Sequence, residues 1–229
     1  KDTLLSLVAS LQLTGQDMIR VGDWLEVPQF GADGDVIDVA LYTLTVQNWD
    51  KTITKIPTHR LISDSFKNWR GMSESGGRRI KRSIYLDMNS IHFLSKAELA
   101  RLSRFEFLHD YLQAKRTELE GANARKVAGN DVVPDQRRLT NVGTFRAYVL
   151  YYLRNHPTIH QDMTLLVRQL QPGPKGLPLE IYCFSNDTDW GNYEDLQADI
   201  FDHLLAILPY FDLKVFQIPT GLDFRTLKE

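Results

Sequence analysis

Six histidines, at positions 59, 92, 109, 156, 160 and 203, are the residues of this chain best suited to holding a metal ion or moving a proton near neutral pH. Only His156 and His160 stand four apart, the spacing that places two imidazoles on one helix face. Pro157 lies between them and disrupts the helix that spacing needs. No third ligand follows at a useful interval, so no zinc site is expected. Cys183 is the single cysteine, which excludes an internal disulfide. Within Leu179-Glu180-Ile181-Tyr182-Cys183-Phe184 it reads as a small buried apolar residue on a strand rather than a reactive thiol. Asp187 and Asp189 could pair as acid and base, but both stand where a helix begins, and capping accounts for them. The stretch 71–77, rich in glycine and serine and followed by Arg78, Arg79, Lys81 and Arg82, invites a phosphate-loop reading. It lacks the Gly-Lys-Ser/Thr ending, and the residues after it alternate as a strand (Ile80, Ile84, Leu86) rather than opening a helix whose N-terminus would hold an anion. No nucleophile elbow or dinucleotide fingerprint is present. No catalytic residue, metal ligand or cofactor is assigned, and the chain is not expected to be an enzyme.

Composition narrows the remaining classes. With 229 residues and 43% hydrophobic content the chain can bury a real core in one large or two small domains. A net charge of −2 gives no global attraction to nucleic acid or to an anionic surface. A soluble RNA-binding or protein-interaction module remains the alternative reading, and it would need a basic face with interleaved aromatics. Arg78 to Arg82 is the only basic cluster, and no aromatic lies inside it. No run of about 18 apolar residues occurs, so no segment reads as a membrane span.

The elements that would position any site can be read from periodicity. Residues 1–19 form a helix with Leu4, Leu7, Val8 and Leu11 in one apolar stripe and Ser6, Ser10 and Gln12 elsewhere on the wheel. Residues 20–70 read as a sheet of about five short strands. Gly22-Asp23 opens it, Gly31 to Asp35 is a turn, the alternating run from Tyr42 places Leu44 and Val46 on one face, and Asp50-Lys51 makes a two-residue hairpin turn into Thr52–Ile56. Residues 71–78 are a flexible linker by composition.

A second domain runs over 79–218. It has a strand from Arg79 to Met88, one helix from a capping box at Ser95 carrying Leu99, Leu102, Phe105, Leu108 and Leu112, and a loop over about 121–140. A helix from Val142 to Asn155, strands Met163–Leu170 and Leu179–Phe184, a helix from about Asp187 to Pro209, and a strand Leu213–Ile218 complete it. With 95–141 treated as a helical insertion, the order strand, helix, strand, strand, helix, strand is that of a ferredoxin-like sandwich. A tail over 219–229 ends in one more short strand that includes Leu222 and Phe224.

The collinear series Arg20-x-Gly22-Asp23-Trp24, Gly34-Asp35-Val36, a Thr-rich strand, Thr52-Ile53-Thr54-Lys55-Ile56-Pro57 and Ser65-Phe66-Lys67-Asn68-Trp69 resembles the beta domain of the mechanosensitive channel of small conductance family. Residues 71–82 are similar to its miniconductance branch. The resemblance covers the whole chain. It implies an α+β chain in which a small all-β, Sm-like barrel or sheet precedes a ferredoxin-like domain.

The implied function is that of the cytoplasmic portion of a tension-gated ion channel, acting in osmotic downshock and forming the vestibule below the pore. The implied partners are identical subunits in a homoheptamer, the lipid bilayer through helices preceding Lys1, and permeating ions. The implied location is the cytoplasmic side of the inner membrane. On this reading Leu4, Leu7, Val8 and Leu11 couple to the membrane or to the adjoining domain, and the helix finds no cover within its own chain. Arg20, Gly22 and Asp23 pass a helix shift to the sheet. Phe66, Asn68, Trp69, Leu222 and Phe224 lie where strand edges of neighbouring subunits meet. For each group ordinary folding structure is the competing explanation: an apolar stripe, a turn, a core strand and, for the tail, simple fraying.

Overall fold

Alternating apolar residues between Trp24 and Pro57 fold into four consecutive antiparallel strands, as a half-buried sheet requires. The computed structural model describes residues 2–124 and 136–219, which divide into two compact units, Lys1–Gly76 and Gly77–Glu229. In the first unit, helix α1 (Asp2–Gly15) precedes β1 (Trp24–Val27), β2 (Ala32–Val39), β3 (Thr43–Asn48) and β4 (Ile53–Pro57). Helix α2 (Thr58–Ser63), the short β5 (Lys67–Asn68) and helix α3 (Arg70–Ser75) come next. The five strands pair in the order β4-β3-β2-β1-β5, so β1 is flanked by both its successor and the last strand. Leu25, Val27, Ala32, Val36, Leu44, Val46 and Ile56 form the inner face, closed by Leu13, Ile19 and Leu61 from the helices and the lead-in.

Three local expectations change. Gly31 alone turns the chain, with φ 59°, as it closes a 3-10 turn at Pro28–Phe30. Ala32 onward is already strand. Gly34 is a glycine because a Cβ there would stand 2.0 Å from the backbone oxygen of Gln47 on β3, a close approach rather than a bend. The hairpin after β3 closes over three residues, 49–51. Asn48 N–H donates to the Thr52 carbonyl at 2.9 Å, and Lys51 takes the left-handed conformation at φ 70°. Much of the glycine-rich linker is helix α3, ended by Gly76 at φ 70°.

In the second unit β6 (Arg78–Leu86), β7 (Leu166–Gln169) and β8 (Leu177–Ser185) form an antiparallel sheet in the order β6-β8-β7. Helices α6 (Asn141–Arg154) and α7 (Trp190–Ile207) join it in one apolar cluster through Val142, Phe145, Val149 and Leu153, and through Leu196, Ile200 and Leu204. The expected last strand is reduced to one bridge, Leu86 with Val215, flanked by bonds from Asp87 N–H to Lys214 and from Phe216 N–H to Tyr85, both 2.8 Å. Val215 and Ile218 are exposed, so no apolar face holds the segment down beyond that bridge. Its place beside β6 nonetheless completes the ferredoxin-like order.

The insertion is not one helix. The capping box at Ser95 starts α4 (Lys96–Leu102) as expected. The chain then breaks, makes a 3-10 turn at Glu106–Leu108, and restarts as α5 (His109–Asn123). The break lets Phe105 turn inward beside Tyr148 and Phe211, each with ring centroids 5.6 Å away, while Leu102 and Leu108 become fully buried.

Gly34→Ala should therefore destabilise the chain by about 2 kcal/mol, the scale of an overpacked site. Gly176→Ala should do the same, because its φ of 82° and a Cβ placed 2.2 Å from the Leu86 carbonyl oxygen leave no room. Gly121→Ala, on the exposed face of α5 with open space around it, should stabilise by about 0.5–1 kcal/mol. Urea unfolding of the three variants measures the contrast.

Candidate functional site: the junction between the first helix and the sheet

The residues expected to couple the first helix to the sheet, Arg20, Gly22 and Asp23, converge with Asn68 from the expected interface group. Helix α1 ends as Met18 N–H reaches back to the Leu13 carbonyl at 2.9 Å, with Asp17 left-handed at φ 54°. A tight turn comes next, in which Asp23 N–H donates to the Arg20 carbonyl. Gly22, at φ 93°, donates its N–H to the Val36 carbonyl at 2.8 Å, and Val36 returns a bond to the Asp23 carbonyl. The turn is thereby stitched onto β2.

Asp23 is the centre of this turn and is 8% exposed. One carboxylate oxygen accepts from the Arg20 N–H and from the Asn68 side-chain amide, both at 2.8 Å. The other accepts from Arg70 Nε, also at 2.8 Å, and Arg70 Nη2 adds a second contact. Asn68 is used at both ends: its amide also donates to the Met18 carbonyl, and its Oδ1 accepts the Arg70 N–H at 2.9 Å. Arg70 reaches on to the Asp17 carbonyl at 3.2 Å, and Asp17 is paired with Arg20. Burial opposes the charge on Asp23, but the Arg70 guanidinium, the Arg20 N–H and the Asn68 amide outweigh it. They hold its carboxyl at about 2, below the usual 3.8. A cation in the first turn of a helix is ordinarily unfavourable, and this ion pair accounts for Arg70 opening α3.

Helix α1 presents two different faces. Ser6, Ala9, Ser10 and Leu13 are buried, and the helix packs on α2. Ser6 Oγ lies 3.0 Å from His59 Nδ1, and Thr58 Oγ1 donates to the Ser6 carbonyl. Leu7, Val8 and Leu11 are 38%, 47% and 66% exposed, with Leu5 beside them. The helix is thus docked on its own unit, contrary to the expectation that it would find no cover there, and the side that docks carries small residues. The spacing 6, 9, 10, 13 is itself a helical stripe. Its serines and alanine hide it from a search for large apolar residues.

Of the remaining expected residues, Phe66 packs against the core of the first unit. Trp69 stacks on Trp24 with ring centroids 4.5 Å apart, and Trp24 meets Trp49 edge-on at 5.3 Å. Trp24 and Trp49 both donate to Asp33, and Trp69 donates to Glu26, which also pairs with Lys67 at 2.7 Å. The structure therefore gives Phe66, Asn68 and Trp69 partners within their own chain. Leu222, Phe224 and the Leu4 side chain lie outside the described residues. Arg70, Asp17 and Trp49 carry no expected role in the sequence, and Trp24 enters it only within the family motif. The only signal for Arg70 is a cation at the end of the segment read as sheet, just before the linker.

The chemistry-bearing residues take structural places. Cys183 is fully buried and its thiol is pushed up to about 12 by that burial, which keeps it protonated. Asp189 caps α7 by accepting the Asn192 N–H at 3.1 Å, and Asp187 accepts the Asp189 N–H. His156 sits edge-on to Tyr152, while His160 Nδ1 accepts the Asp162 N–H. In the basic strand, Arg78 lies over Tyr193 and Arg82 over Phe201.

The depressed acidity of Asp23 fixes a pH dependence. Its contribution, about 2 kcal/mol by the size of the shift, is fully present above the unfolded pKa near 3.8. It should fade as pH falls through about 2. Asp23→Asn should lower stability above pH 5 and flatten the acid limb between pH 4 and 2. Arg70→Gln should destabilise in the same direction, and the double variant should lose less than the sum. Urea unfolding across pH, with the double-mutant cycle, checks all three.

Comparison with known proteins fits this arrangement. The family model described as "Mechanosensitive ion channel, beta-domain" matches residues 2–71, and "Mechanosensitive ion channel MscS, C-terminal" matches residues 145–214. Among curated relatives, the low conductance mechanosensitive channel YnaI of Escherichia coli is 23% identical over 208 residues, covering 91% of this chain and 46% of YnaI. An uncharacterized MscS family protein of Helicobacter pylori is 22% identical over 209 residues, covering 91% of this chain and 30% of that protein. The chain thus spans less than half the length of either relative. The cryo-EM structure of Arabidopsis thaliana MSL1 superposes with a TM-score of 0.64 at 12% identity, over 95% of this chain and 60% of that one. The closed-state crystal structure of Helicobacter pylori MscS gives 0.56 at 12%, over 96% and 65%, and these likenesses support the fold. With both models in order along the chain and the antiparallel α+β fold they describe, the chain belongs to the MscS family of mechanosensitive ion channels.

Proposed function

We propose that this chain is the part of a tension-gated channel lying beyond the pore, on the cytoplasmic side of the inner membrane. It assembles as a ring of identical subunits, seven by the family resemblance, and forms the vestibule that ions traverse when the channel opens in osmotic downshock. The observation that carries the reading is the outward apolar face of α1, Leu7, Val8 and Leu11, at the start of the segment matched by the beta-domain model.

The physical argument is one of leverage. Shifting a two-state gate from 1:99 to 99:1 takes a differential of roughly 5.5 kcal/mol. Tension supplies it through area in contact with lipid. Among the described residues no helix is long and apolar enough to cross a membrane, and α1 offers the one outward apolar stripe that the sequence marked. The chain accordingly transmits and supports gating rather than sensing tension, with the Asp23 junction as the route from helix to sheet.

Val8→Ser with Leu11→Asn removes apolar area that is largely left open among the described residues, so it should leave the unfolding free energy within about 0.5 kcal/mol. In the full-length protein the same pair should raise the opening tension in patch recordings and reduce survival of osmotic downshock. Loss of stability without a gating change would show that the face serves folding alone.

A further inference from the structure

Three side chains from separate elements of the second unit converge at the root of the insertion. His92 lies between the 3-10 turn at Met88–Ser90 and α4, Glu98 is in the first turn of α4, and Asp212 caps the 3-10 turn Leu208–Phe211 in the left-handed conformation, φ 52°. One ligand atom from each lies within 4.8 Å of the other two.

The hydrogen bonds around His92 define what it presents to this space. Nδ1 lies 3.0 Å from the Ser90 carbonyl oxygen, an acceptor, which places the ring proton on Nδ1. The Asn141 amide is also near Nδ1, but its two hydrogens are aimed at the Ser90 and Phe211 carbonyls, at 2.8 and 3.2 Å. Nε2 faces Glu98 Oε1 at 2.6 Å, the length of a hydrogen bond made by a second ring proton. A metal ion held at about 2.0–2.1 Å from each ligand atom needs the two about 3 Å apart, so it displaces that proton and spreads the pair slightly. A proton would satisfy His92 and Glu98 alone; a metal ion would also use the Asp212 carboxylate that the fold brings alongside.

The outer contacts suit the second case. Glu98 keeps Oε2 on the Ser95 N–H at 2.7 Å and turns Oε1 to His92, and Asp212 keeps Oδ2 on Arg101, so each carboxylate is oriented by one of its oxygens. A backbone carbonyl holding Nδ1–H is the usual support for a ligating histidine. One imidazole nitrogen and two carboxylate oxygens suit a first-row divalent ion; calcium would need six to eight oxygens. His92 and Asp212 are partly exposed, which gives an ion a way in.

We propose that His92 Nε2 with one oxygen each of Glu98 and Asp212 binds a divalent transition-metal ion of the Zn2+ class, water completing the shell, and that the ion ties the start of the insertion to the turn following α7. The neighbouring Arg101 charge opposes the cation and keeps the affinity moderate, in the range of a reversible site.

The test is calorimetric titration of ZnCl2 into the 229-residue chain. One Zn2+ per chain and a raised unfolding temperature are expected. His92→Ala and Asp212→Asn should each weaken binding by more than the roughly 10- to 100-fold typical of losing an outer-shell partner. Glu98→Gln, which keeps the cap, should weaken it as well, while His156→Ala and His160→Ala should leave it unchanged. Should His92→Ala fail to fold by circular dichroism, Asp212→Asn decides, since asparagine accepts the same left-handed backbone. Absence of saturable binding in the unmodified chain, or affinity unaltered in folded His92→Ala and Asp212→Asn, overturns the proposal.

Discussion

A carboxylate withdrawn from water must be compensated by charge and hydrogen bonds, or it takes up a proton. Asp23 is compensated completely, by the Arg70 guanidinium, the Asn68 amide and the Arg20 N–H. Those donors come from the turn after α1 and, 45 and 47 residues on from Asp23, from β5 and the start of α3. Their common acceptor is therefore what sets the end of the first helix against the last strand of the sheet. Gly22 has to be glycine for the same reason: its positive φ lets the turn bring Asp23 inward while its N–H continues the pairing with Val36.

The helix attached to this junction shows how one short element can answer two demands. Its inward residues, Ser6, Ala9 and Ser10, are small, so the backbone approaches α2 closely enough for Thr58 to donate to the Ser6 carbonyl. Its outward residues, Leu5, Leu7, Val8 and Leu11, are large and apolar and are left uncovered within the described unit. A helix of 14 residues is marginal alone in water. The small-residue contact with α2 supplies a neighbour without consuming the apolar face.

Local chemistry made most of this fold legible. The capping box at Ser95, the cap at Asp189, the Ile-Pro end of β4 and the alternation of β3 each act within a few residues, and each stands where sequence reasoning put it. What escaped depends on partners distant in the chain. Phe105 breaks the insertion helix because Tyr148 and Phe211 wait for it, and Gly34 is a close approach because Gln47 lies opposite. The site was half legible for the same reason. Arg20, Gly22 and Asp23 fall within one tetrapeptide and carried a family pattern, whereas Arg70 is 47 residues away from Asp23 and its role exists only once β5 has folded against β1. The burial of Ser6 and Ser10 was opposite to their polarity, because closeness of packing, rather than apolar area, decided that face.

On the proposed reading the energetics of the junction constrain how motion passes through it. The ionised Asp23 contributes on the order of 2 kcal/mol, a large share of the roughly 5.5 kcal/mol that carries a gate from mostly closed to mostly open. A gating movement that pulled Asp23 from its donors would dissipate much of the available work in exposing an unpaired charge. A movement that carries the turn, Asn68 and Arg70 together leaves every bond in place and dissipates none. The junction is therefore suited to act as a rigid link, with flexing confined to backbone outside the network. The left-handed Gly76 after it marks where α3 ends and the chain can turn.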